Sequence, residues 1–207
     1  MAQHYRAALE ESEELSRLAH DLRSPLTAIR GAAALLLHAH DQLTGDKLED
    51  LLRVIDAQAG RMADKVEDVI AAHRLEAGTL RLTAERLEVA EIVADALDAM
   101  RARHRDRRFR VSGLVEGLYV EADAERTPQL LRLLLDAAAR QSPADRGVEV
   151  KASRHEAAVK IEVRHRGQGP AEPDPLAIGL ARAMGGDAGV GGRSSSATSW
   201  FTLPASK

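Results

Sequence analysis

The sequence predicts an α+β protein: an N-terminal antiparallel helical hairpin that pairs into a dimeric four-helix bundle, followed by an α/β sandwich. Three observations carry this prediction. Apolar residues recur at three- and four-residue steps from Leu15 to Ile70. Beyond Gly78 the period drops to two in several short stretches that are set between helical ones. Hydrophobic residues make up 44% of the 207 residues, yet aromatics are only 2%, so the apolar content is mainly Ala, Leu and Val, which suits close-packed helices.

The first helix carries Leu15, Leu18, Leu22, Leu26, Ile29, Ala33 and Leu36 on one stripe, and the pattern fades at His38–His40. Asp41–Lys47 supplies turn chemistry, with Gly45 and a candidate N-cap at Asp46. The second helix repeats the stripe through Leu48, Leu51, Leu52, Ile55, Ala59, Met62, Val66, Val69 and Ile70, and Gly78 is its expected C-terminal cap. A lone hairpin leaves much of such a stripe in water. Two hairpins forming a four-helix bundle remove that exposure, so a homodimer with its interface in residues 9–76 is expected.

After Gly78, residues 80–89 read as a strand with its connection, and 89–104 as a helix. Short strands follow in "RFRVSGL" and "LYVEAD". Residues 127–142 form a strong helix with Pro128 in its first turn. "GVEVKASRH" and "AVKIEVRHR" alternate and predict a hairpin. "PLAIGLARAMGG" is a short helix with a glycine stop, "GVGGRSSSATS" reads as a loop in which Gly189–Gly192 form a turn, and "TSWFTLP" is a closing strand. Strands segregated from helices argue for an α+β sandwich. The expected domains are residues 1–78 and 79–207.

The totals exclude several classes. Lys plus Arg number 29 against 32 Asp plus Glu, a net charge of -3, which gives no case for nucleic acid. With no cysteine there is neither a disulfide nor a thiolate metal site. No run is long enough to span a bilayer and no signal-peptide pattern opens the chain, so a cytoplasmic protein without membrane contact is expected. In the cluster His38, His40 and Asp41, the two histidines stand two apart and do not share a helical face, so no metal site is expected there. His73, His104 and His155 read as surface residues. The basic run Arg101–Arg110 reads as a solvated helix end and loop, with an acidic protein partner as its functional option.

The chemistry centres on "HDLRSPLTAI", His20 to Ile29. His20 and Ser24 lie one turn apart on the same face, and Asp21 stands at its edge. The stripe passes through Leu18, Leu22 and Leu26, leaving His20 on a more exposed side. A neutral imidazole can attack phosphorus through one nitrogen while a carboxylate holds its other N–H, a role open to Asp21. Ser24 could orient a water. Pro25 withholds an N–H and crowds the carbonyl of Asp21, so a kink is expected beside His20.

This string resembles the H-box of the sensor histidine kinases, His-Glu/Asp-Leu-Arg-Thr/Ser-Pro-Leu, and the second helix resembles the partner helix of that dimerisation and phosphoacceptor domain. The resemblance covers residues 12–82. It implies that His20 is the phosphoacceptor, that Asp21 assists transfer, and that Ser24 stands where such proteins orient water to dephosphorylate a response regulator. Arg17, Arg23 and Thr27 are the expected partner-binding residues.

Residues 83–207 resemble the catalytic ATP-binding domain of these kinases, a Bergerat α/β sandwich, in degenerate form. Where the family carries two asparagines on its N-box helix, this chain has Leu133 and Ala137, and alanine offers no oxygen to Mg²⁺. "VRHRGQG" resembles the first glycine box and keeps Gly167 and Gly169, but His165 replaces the acid that recognises adenine. Only "PAEPDPLAI" stands where a longer lid ending in a Gly-Leu-Gly-Leu box belongs, and Gly179-Leu180 is a lone dipeptide inside a helix, too little to stand for that phosphate loop.

Together these departures predict a histidine phosphotransferase that does not bind ATP, with the architecture of the ChpT-type and sporulation-type phosphotransferases. His20 would relay a phosphoryl group between the aspartates of response-regulator receiver domains. No cofactor of its own is expected, because Mg²⁺ would come with the receiver. The alternatives are a pseudokinase acting as a response-regulator phosphatase or scaffold, an ATP-dependent sensor histidine kinase with unusual boxes, and a non-catalytic interaction module. Nothing resembling a sensor segment precedes residue 10, which suits a soluble relay protein.

Overall fold

The computed structural model describes residues 2–39, 43–113, 116–143, 145–167, 174–193 and 196–206, with side chains described from Ser16 onward except those of residues 17, 39 and 193. The chain divides into two compact units, Met1–Ile70 and Ala71–Lys207.

The first unit holds α1 (Ala2–Ala39) and most of α2 (Gly45–Glu76). α1 runs unbroken through Pro25. Because α2 already begins at Gly45, Asp46 is an acid of its first turn and not its cap; there it still complements the positive end of the helix dipole. The Leu48 N–H donates to the Thr44 carbonyl at 3.0 Å. Of the expected stripe, Ala32 beside it is buried, whereas Leu26, Leu48, Leu52, Val66 and Val69 are each about 40–50% exposed. α2 ends as its glycine predicts. Gly78 takes φ +64°, its N–H donates to the Leu75 carbonyl, and the Thr79 N–H reaches back to Arg74 at 2.8 Å.

The second unit contains β1 (Ala84–Glu88), α3 (Val89–Arg103), β2 (Phe109–Gly113), β3 (Tyr119–Asp123), α4 (Arg126–Gln141), β4 (Val148–His155), β5 (Ala158–His165), α5 (Pro175–Ala183), β6 (Asp187–Arg193) and β7 (Ser196–Pro204). β1 and β3 form an antiparallel pair. The main sheet has the order β2-β4-β5-β7-β6 and is antiparallel apart from β2 against β4. Val89, Val93, Leu97 and Met100 of α3 and Leu130, Leu131, Leu134 and Leu135 of α4 are buried in one core with Val148, Val150, Ile161, Val163, Phe201 and Leu203 of the sheet. β4 and β5 alternate buried and half-buried residues, as their sequences predict. Ala71, in the last turns of α2, is fully buried in this same core, which explains why the division between units falls inside α2, upstream of Gly78.

Gly189–Gly192 are not a turn but most of strand β6, paired in register with Trp200 to Ala197 of β7. A Cβ at Gly189 would lie 2.8 Å from Trp200 Cζ2, so the glycine makes room for the indole. Gly192 has φ +115° and faces the Ser196 carbonyl, which places it where the strand turns back.

Candidate functional site

His20 stands near the middle of α1 with its ring exposed, and Asp21, Arg23, Ser24 and Thr27 are exposed around it. Their exposure follows from helix geometry, since Leu18, Leu22, Pro25 and Ile29 take the half-buried side. Among the described residues no hydrogen bond joins His20 to Asp21 or Ser24. The Asp21 carboxylate instead meets Lys65 of α2, with Nζ 3.1 Å from Oδ2. The sequence reading gave Asp21 the task of holding His20; the structure commits one of its oxygens to the opposite helix. Both groups are over 40% exposed, so the pair contributes at most about 1 kcal/mol. The Thr27 hydroxyl, expected to meet a partner, donates to the Arg23 carbonyl at 2.8 Å. That back-bond occurs because a helical threonine one turn on can always reach that oxygen. The side chain of Arg17 lies outside the described residues.

The second unit places the remaining positions. Leu133 is 8% exposed and part of the core, and Ala137 is half-buried on the next turn. Between them Asp136 has Arg132 Nη1 at 3.5 Å, Arg103 Nη1 at 3.7 Å and His104 Nε2 at 3.5 Å. Burial pushes the Asp136 carboxyl up, but the His104 ring beside it and the charges of Arg103, Arg132 and Arg140 outweigh it and hold the group below its ordinary value. His104, read from the sequence as a surface residue, is thus part of a half-buried charged cluster.

His165 is 3% exposed, and neither ring nitrogen has a hydrogen-bond partner among the described residues. Burial pulls its pKa down, so the ring is neutral. Gly167 is required by packing, since a Cβ there would overlap the Gln141 carbonyl at the end of α4. Gly179 is a packing residue as well. It sits inside α5, where the sequence places it, and lets Leu75 approach. Gly169, residues 170–173 of the shortened lid, and the His40–Asp41 part of the metal candidate lie outside the described residues. Among the described residues no group of His, Asp and Glu is placed to hold a metal. No described helix is long and apolar enough to cross a membrane.

Asp123, absent from the sequence reading as a functional residue, organises the entry to α4. It accepts from the backbone N–H groups of Thr83, Glu125 and Arg126 at 2.8, 3.0 and 2.9 Å. Burial raises its pKa, but these donors and the Arg126 charge bring it below its ordinary value.

Residues 10–78 match the family model of the His Kinase A (phospho-acceptor) domain. The chain is histidine-kinase-like. It is 26% identical over 161 residues to the sensor protein KdpD of Clostridium acetobutylicum, covering 78% of this chain and 18% of that one. It is 32% identical over 146 residues to the signal transduction histidine-protein kinase/phosphatase MprB of Mycolicibacterium smegmatis, covering 67% of this chain and 29% of the relative. The histidine-kinase-like chain thus spans under a third of the length of these curated relatives. Its fold matches that of the Acinetobacter baumannii histidine kinase AdeS with a TM-score of 0.60 at 19% identity, over 91% of this chain and 98% of that one. The helical hairpin and the sheet domain of the histidine-kinase-like chain are therefore the two folds its sequence predicts.

The residues its sequence did not single out are Lys65, Asp123 and Asp136. Lys65 is one of two lysines on α2, and its position opposite Asp21 distinguishes it. Asp123 precedes the N-box positions in sequence and Asp136 lies between them, and nothing in their spacing separates a buried carboxylate from a surface one.

Proposed function

We propose that this chain is a histidine phosphotransferase of two-component signalling that relays phosphoryl groups through His20 and does not use ATP. A neutral His20 nitrogen attacks the phosphorus of a receiver's aspartyl phosphate. The acyl-phosphate P–O bond breaks, a P–N bond forms, and the receiver's carboxylate leaves; the reverse step on a second receiver returns the imidazole. Mg²⁺ belongs to the receiver in this reading. Asp21, Ser24, Arg17, Arg23 and Thr27 form the docking face around the histidine. The exposed leucines and valines of α1 and α2 support a homodimer, because a second hairpin would cover them.

The observation that carries the ATP-free part is the environment of position 165. Where the resemblance calls for an acid that recognises the adenine amino group, a buried imidazole stands, with no hydrogen-bond partner among the described residues. Leu133 in the core and the oxygen-free side chain of Ala137 support the same reading. Incubation with a panel of phosphorylated receivers is expected to place acid-labile label on the wild-type chain and none on His20→Ala. Titration with a fluorescent ATP analogue and Mg²⁺ is expected to give no binding at micromolar concentration; binding there would restore the kinase reading.

A second reading is favoured by the exposed Ser24 one turn from His20 and by the likeness to a relative named kinase/phosphatase. In it the chain is a response-regulator phosphatase, and a phosphorylated receiver decays faster in its presence. Loss of that effect in Ser24→Ala, with label on His20 unchanged, would establish a drain beside the relay.

A further inference from the structure

The sheet gathers three connections of the second unit at one end. β2 starts beside β4, with Phe109 opposite Val148. β5 finishes at that same end, with Arg164 opposite Glu149 and His165 opposite Ala197 of β7. The α3–β2 loop, the α4–β4 loop and the residues leaving β5 therefore meet there. Their described residues hold Arg105, Arg107, Arg108, Arg146 and Arg166 against Asp106 and Asp145.

The loops are tied to one another. The Arg107 guanidinium donates to the Ser142 carbonyl, and the Val148 N–H donates to the Arg108 carbonyl at 2.8 Å. The Ser142 hydroxyl lies 3.3 Å from the Arg146 carbonyl. A Cβ at Gly147 would stand 3.1 Å from the Arg108 carbonyl, so the two loops are in close backbone contact. The backbone that carries these arginines is thus fixed on both loops.

The two acids are already engaged, Asp106 with Arg107 Nε at 4.0 Å and Asp145 with Arg146 Nε at 3.2 Å. Arg108 and Arg166 are exposed and have no side-chain hydrogen bond or ion pair among the described residues. An open cavity of about 500 Å³ lies at this end, lined by Pro143, Arg146, Arg166, Gly167 and Ser196. Guanidinium groups held at a concave surface suit bidentate pairing with carboxylates. The whole chain carries a net charge of -3, so this excess of positive charge is local and opposes the molecule's average. Nucleic acid would call for exposed aromatic stacking platforms, and the aromatic of this end, Phe109, is 4% exposed in the core.

We propose that this end of the second unit docks an acidic segment of a partner protein, with Arg108, Arg146 and Arg166 pairing with its carboxylates. The surface is independent of phosphoryl transfer at His20. The test is binding of a fluorescein-labelled glutamate-rich peptide to the full chain. Arg108→Glu/Arg166→Glu is expected to weaken it roughly tenfold or more, as reversal of paired charges does. Added salt should weaken it too. Arg154→Glu, at the far end of β4, is expected to leave it unchanged. Arg108→Gln/Arg166→Gln, checked for an unaltered melting temperature, is expected to weaken it in the same direction and guards against a folding artefact. No binding to the wild type, equal binding by the double variants, or a single-stranded DNA of matched charge binding as tightly as the peptide would each overturn the proposal.

Discussion

His165 and Asp136 show how differently two ionisable side chains can be accommodated in one domain. His165 is buried, with neither nitrogen partnered among the described residues, so folding favours its neutral form and its folded pKa lies below the unfolded value. The unfolded chain then binds more protons as pH falls through the ordinary histidine value of about 6.5, and stability drops there. His165→Leu is expected to raise stability by about 1 kcal/mol at pH 7.5 by removing unpaired polar atoms. The gain should be larger at pH 5.5, and thermal melts of both proteins at the two pH values measure it. Asp136 is the opposite case. Its folded pKa is depressed, so its contribution is present above the unfolded value near 3.9 and is lost as pH falls through the folded one. Asp136→Asn leaves Arg103 and Arg132 without that carboxylate and is expected to cost about 2 kcal/mol at neutral pH, read by chemical denaturation.

At the scale of elements, the glycines separate what a pattern can and cannot announce. Gly78 and Gly185 end their helices in the left-handed region, with paired backbone donors reaching back into the last turn, and both were legible as stop signals. The glycines of β6 were read as a turn because Gly is depleted in strands. They form a strand because β7 offers a full edge and Trp200 covers Gly189 in place of a side chain. Gly189→Val is expected to displace the indole, shift the emission of the chain's single tryptophan and destabilise the domain by about 1–2 kcal/mol, measured by fluorescence-monitored unfolding. β4 and β5, in contrast, declared themselves by strict alternation, since a strand half-covered by helices needs nothing more.

At the scale of the molecule, the exposed stripe of the hairpin carries the largest consequence. Leu26, Leu52 and Val66 are over 40% exposed in the single chain. Light scattering is expected to give a dimer. Leu26→Glu/Val66→Glu is expected to shift it to monomer while the second unit's melt persists, since that unit has its own core.

The sequence by itself determined the order of the elements other than β6, the helix stops, the helical hairpin followed by a sheet domain, and the exposed histidine at position 20. Each rests on a local period or a local steric rule that short-range neighbours enforce. Only the tertiary structure decided that Asp21 pairs with Lys65, that the end of α2 belongs to the second core, and that the glycine-rich stretch is an edge strand. It also decided that Gly167 and Gly179 are packing glycines, and that His165 is buried with no partner among the described residues. Those depend on what stands across from a residue, and partners far along the chain leave no trace in the spacing around it.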